Sequence, residues 1–166
     1  MNRSSVASLS ALRHWLWLVL SLLLLAGCTN PVKTDLQALE QTFKTGSFSP
    51  ENTARINRQM ATAHSDADRR AALQEMVTAL STFRDQLRAL PLKSEQVKTL
   101  RDKMATASDN MAAGMREALT LGANNQDFAA QQRIQQKIID AQQLMSEASI
   151  ELKRLTVEHK LENSAQ

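Results

Sequence analysis

The chain of 166 residues is marked first by what it goes without. It has no tyrosine, and its two tryptophans, Trp15 and Trp17, both sit near the N-terminus. Four glycines and three prolines leave few places where a helix must break. No segment shows a sustained period-two alternation of β-branched residues, which argues against a sheet. Ala, Leu, Gln, Glu, Lys and Arg fill the space instead, a helix-forming composition. There is a single cysteine, Cys28, and no acidic residue precedes it, whereas Arg3 and Arg13 do. Setting those two aside leaves 18 of the 20 basic residues against 17 acidic ones, a net of +1 from Cys28 onward. A nearly neutral chain exerts little pull on phosphate backbones, so nucleic acid is not an expected partner despite a pI near 9.3.

The lone cysteine closes an apolar run. Residues 1–14 are polar and positive, and residues 15–26, WLWLVLSLLLLA, form the run. A bilayer-spanning helix needs about 20 apolar residues, so this stretch has the length of a signal-peptide core rather than a membrane span. Leu25-Ala26-Gly27-Cys28 follows and resembles the lipobox of bacterial lipoprotein signal peptides, with a match at every position. The resemblance implies a diacylglyceryl thioether on the Cys28 sulfur and cleavage between Gly27 and Cys28. It also implies acylation of the freed amine with a palmitate-type chain. Several acyl chains anchor stably where one is marginal, and lipidation accounts for an odd thiol in an oxidising compartment. Thr29, where Asp would favour the inner membrane, implies the outer membrane, with the chain facing the periplasm.

The expected organisation is a cleaved signal peptide over 1–27, a lipidated tether over 28–34, a helical bundle over 35–160 and a tail over 161–166. Val32, Leu36, Leu39 and Phe43 make one apolar stripe that stops at Gly46. Ser49-Pro50-Glu51 reads as N-cap, N1 and N2 of a short helix carrying Ile56, Met60 and Ala63, and Ser65 with Asp68 has capping-box form. Leu73, Met76, Leu80, Phe83, Leu87 and Leu90 form a heptad-like seam, widened by Val77 and ended by Pro91. Ser94 and Glu95 open the next helix, with Val97, Leu100, Met104, Ala107, Met111, Met115 and Leu119 on one face and Gly122 as its C-terminal stop. A last helix from near Asn125 to about Lys160 carries Ile134, Ile138, Ala141, Met145, Ala148, Leu152 and Leu155. The short connections predict an all-α, elongated, up-down antiparallel bundle with coiled-coil-like seams: three long helices and one or two short N-terminal ones.

Catalysis needs converging polar groups, and the mature chain offers none with the right spacing. His64 and Asp68 stand one turn apart without a third ligand, and His159 suits the C-terminal end of a helix dipole. The methionines fall on seam positions and read as core filler rather than a copper site. No enzymatic activity, cofactor or metal is therefore expected. Residues 84–103 hold six cations, Arg84, Arg88, Lys93, Lys98, Arg101 and Lys103, against three acids, a candidate surface for headgroup phosphates or an acidic partner. Seven glutamines between Gln126 and Gln143 give a second, uncharged polar face suited to helix contacts or to solvent. The murein lipoprotein is a single helix ending in a linking lysine, whereas this chain turns at Gly46, Pro91 and Gly122 and ends ENSAQ. The expected role is a non-enzymatic envelope lipoprotein with a protein partner. The alternatives are a small-ligand or metal binder with a cavity near Ala107, Gly114, Ala141 and Ala148, or an inhibitor or immunity-type lipoprotein.

Overall fold

In the computed structural model, residues 30–122 and 127–161 are described, and the chain divides into units Met1–Asn30 and Pro31–Gln166. The second unit is an all-α bundle. Its described helices are α1 (Pro31–Thr45), α2 (Pro50–Ala61), α3 (Asp66–Arg88), α4 (Glu95–Leu121) and α5 (Phe128–Leu161). No strand occurs among the described residues.

Local chemistry sets the helix ends. Pro31 takes the first position of α1, where its missing N–H costs nothing, so the helix begins four residues before the expected bundle boundary at 35. The Ser49 hydroxyl accepts from the Asn52 N–H ahead of Pro50. Ser65 and Asp68 exchange both bonds of a capping box, each at 3.1 Å. Helix α3 ends at Arg88, two residues before the seam does, because Pro91 disfavours helical backbone in the residue ahead of it. Helix α5 starts at Phe128 because Asp127 Oδ1 accepts from the Ala130 N–H, whereas Asn125 lies outside the described residues. Gly122 closes α4 at φ 69° and ψ 169°, a backbone region open essentially to glycine alone.

The three long helices pack antiparallel in sequence. Arg70, Ser81 and Arg84 of α3 bond in turn to Leu119, Arg116 and Asp109 of α4, so numbering rises on one helix as it falls on the other. Lys103 of α4 meets Glu147 and Glu151, and Glu117 meets Arg133 and Lys137, which sets α5 antiparallel to α4. Two short helices take the place of a fourth long one. The start of α1 lies at the α3–α4 turn, where Asp35 bonds Ser94, and its end lies beside Ala79 and Gln86, while Arg55 of α2 pairs with Glu75 further up α3.

Under α1 sits the larger core, with Leu39, Phe83, Leu87, Leu100, Met104 and Leu155 fully enclosed. A smaller cluster of Val77, Leu80 and Ala112 gathers Met76, Met111, Met115 and Leu119, and Phe48 packs against both. These methionines are half-buried and pack against the core, in keeping with their seam positions. The seam of α3 is wider than the heptad pattern: Ala72, Val77 and Ala79 are buried, whereas Leu73, Met76 and Leu90 are half-buried. This helix is covered by α4 on one side and by α1 and α2 on the other, so a single stripe cannot describe it. Ala107, Ala141 and Ala148 are buried where the helices approach closely. A Cβ on Gly114 would come within 3.2 Å of Ile138.

Candidate functional site

The six cations of residues 84–103 do not form one free basic patch. Arg84 reaches Asp85 at 2.9 Å and Asp109 at 2.6 Å, Lys98 reaches Glu95 at 2.7 Å, and Arg101 reaches Asp102 at 2.8 Å. Lys103 points across to Glu151 at 3.3 Å. Only Arg88 and Lys93 remain exposed without an ion pair among the described residues. Hydrogen bonding to Asp85 and then Asp109 raises the Arg84 pKa, and the bond from Arg84 lowers that of Asp85. The same logic ties neighbouring helices elsewhere: Arg55 lowers the pKa of Glu75 between α2 and α3, and Lys137 lowers that of Glu117 between α4 and α5. These charges set register between helices.

His64 is exposed, and the Asp68 carboxylate is occupied by Ser65, whose hydroxyl lowers its pKa. His159 lies at the rim of a cleft of about 410 Å³ between α1 and α5, floored by Leu36, Phe43 and Leu152 and edged by Lys33. No cluster of three or more metal-binding side chains occurs among the described residues. Gly27, Cys28 and Gln126 lie outside those residues, and no described helix is long and apolar enough to cross a membrane.

Asp35 is the polar residue that the seams do not reveal. It is 4 % exposed, and its Oδ2 accepts from the backbone N–H groups of Lys93 at 2.8 Å and Ser94 at 2.6 Å. Ser94 sits at the N-cap of α4 but makes no side-chain cap bond. A carboxylate nearly 60 residues away in sequence caps that helix instead.

The outer face of α5 is the other feature the spacing passes over. All the described glutamines of this helix are exposed there, with Gln136 donating to Asp140 and Gln143 to Glu147. Among them stand Phe128, Ile139, Ile150 and Val157, the large apolar side chains left exposed in the described structure. Their separations of 11, 11 and 7 residues are close to whole numbers of turns, which places all four within about 40° of one line along the helix. That line lies opposite Ala141, Ala148 and Leu155, the buried face. In the Ile138-Ile139 pair one side chain packs inward and its neighbour faces out. An apolar line about 43 Å long, interspersed with uncharged amides and flanked by charged side chains, is suited to receiving another helix.

A family model described as uncharacterised lipoprotein PM1805 matches residues 33–160, the length of the bundle. No curated protein matches, and no solved structure does.

Proposed function

This chain belongs to the uncharacterised lipoprotein family PM1805, and on that premise we propose that it is an accessory lipoprotein of the outer membrane, working by binding rather than catalysis. Its bundle faces the periplasm, and the lipid sits on Cys28 of the lipobox. Cys28→Ser, which removes the sulfur that carries the thioether, is expected to release the protein from the membrane or leave it as uncleaved precursor. Recovery of the variant in the membrane fraction at the size of the mature form would refute the anchor.

One observation carries the binding role: the exposed large apolar side chains of the described structure all fall on one line of one helix. Scattered single hydrophobes on a surface need no explanation, but an aligned set opposite the packed face does. Ile139→Asp combined with Ile150→Asp is expected to leave the helical circular dichroism unchanged, since both positions are exposed. In native electrophoresis of detergent-extracted membranes the same variant should run as a smaller species than the wild-type protein. Identical migration of the two would sink the reading.

A further inference from the structure

The two edges of the α5 line are not alike. One edge carries Lys153, exposed and without an ion pair among the described residues, beside Gln142 and Ser149. The other carries Asp140 and Glu147, with Glu158 already bonded to Arg154 at 2.8 Å. Glu147 is loosely held, with its nearest cation, Lys103, 3.8 Å away. These edges distinguish the ways in which two such helices can meet. In a parallel pair about a two-fold axis, each edge meets the opposite edge of the other copy. Lys153 then lies alongside that edge at the level of Arg154 and Glu158, and Glu147 stands about 9 Å further along it, so the edge that Lys153 meets is net acidic. In an antiparallel pair like edges meet, and Asp140 of one copy falls near Glu147 of the other. Like charges side by side are unfavourable, whereas opposite charges across the edge support pairing and set its direction.

The covalent chain points the same way. Lys33 and His159 line one cleft, so the start of α1 and the C-terminal end of α5 share one end of the bundle. Cys28 stands three residues before Pro31, a reach of about 10 Å at full extension. Copies anchored through Cys28 in one leaflet therefore present the same end to the bilayer and meet side by side in parallel. Confinement to a plane also raises the effective concentration of one copy near another.

We infer that the outer face of α5 docks in parallel against the same face of a second copy of this chain. Phe128, Ile139, Ile150 and Val157 each meet their own counterpart. This rests on the reading of that face as the interaction surface and names its occupant. The test uses the full-length lipidated protein in native membranes. Cys28 is consumed by its thioether, so an introduced cysteine is the free thiol. Gln135→Cys and Ser146→Cys lie on the line without removing any of its apolar side chains, and Thr82→Cys lies on the exposed side of α3 as a control. Under mild oxidation the first two should each give a disulfide-linked dimer and the control should not. Adding Ile139→Asp and Ile150→Asp should abolish the dimer. A dimer from Ser146→Cys alone, which lies within one turn of the midpoint of the line, would mean an antiparallel pair and overturn the inference. No dimer from either would overturn it too, and a photoreactive side chain at position 146 then separates the two readings. Capture of a different protein would leave the binding role standing, whereas capture of nothing would remove both.

Discussion

Phe83→Ala is expected to lower the unfolding free energy by about 3–5 kcal/mol, the range for removing a fully buried aromatic ring. The side chain has no exposed surface and sits between two other rings, with centroids 5.0 Å from Phe43 and 5.6 Å from Phe48. Phe43 belongs to the last turn of α1 and Phe48 to the link before α2, so Phe83 is where the broken N-terminal column is pinned to α3. Such ring pairs add about 0.5–1.5 kcal/mol each beyond the area they bury. A domain is stable by about 5–15 kcal/mol, so the loss is a large fraction of the total. Phe83→Leu fills most of the space without the ring contacts and should cost clearly less. Chemical denaturation of both variants checks this. A Phe83→Ala loss below about 1 kcal/mol, outside the usual range for such a site, would show that the column is held by something else.

Asp35→Ala is expected to cost about 2–3 kcal/mol, through the loss of an acceptor for two N–H groups at the start of α4. The cost is high because Asp35 is buried and Ser94 does not cap the helix itself. Without the carboxylate, those donors lose their partner and the positive end of the helix loses a negative neighbour. Asp35→Asn keeps an oxygen for the two donors but not the charge, and should cost about 1 kcal/mol. Amide exchange at Lys93 and Ser94 should quicken in the alanine variant ahead of the rest of α4. Equal stability of the alanine and asparagine variants would refute the capping role.

Both residues show what can be read along the chain. Phe83 falls on a seam whose spacing marks it as core, since a helix repeats its faces every three to four residues. The Ser65–Asp68 box is equally legible, because both partners lie within one turn. Asp35 is not legible, because its partners lie in a turn that reaches it only after α3 has run back past α1. The cations of residues 84–103 divide on the same ground. Glu95, Asp85 and Asp102 are neighbours in sequence, whereas Asp109, Glu147 and Glu151 become partners only when the helices pack. Four cations are thereby taken up. Ile139 is the reverse case, an apolar residue beside a packed Ile138 and turned away from the bundle. Its partners in line are 11 residues to either side, beyond any single-turn pattern.

The helical class, the breaks at Gly46, Pro91 and Gly122 and the local caps of α2 and α3 were settled by residues within a turn of one another. Their energies depend on backbone geometry that a few neighbours determine. Tertiary structure decided which charges are neutralised, which carboxylate caps α4, how wide the buried face of α3 is and which apolar line remains uncovered. Burial and ion pairing depend on which helix comes to lie alongside, and no local spacing contains that information.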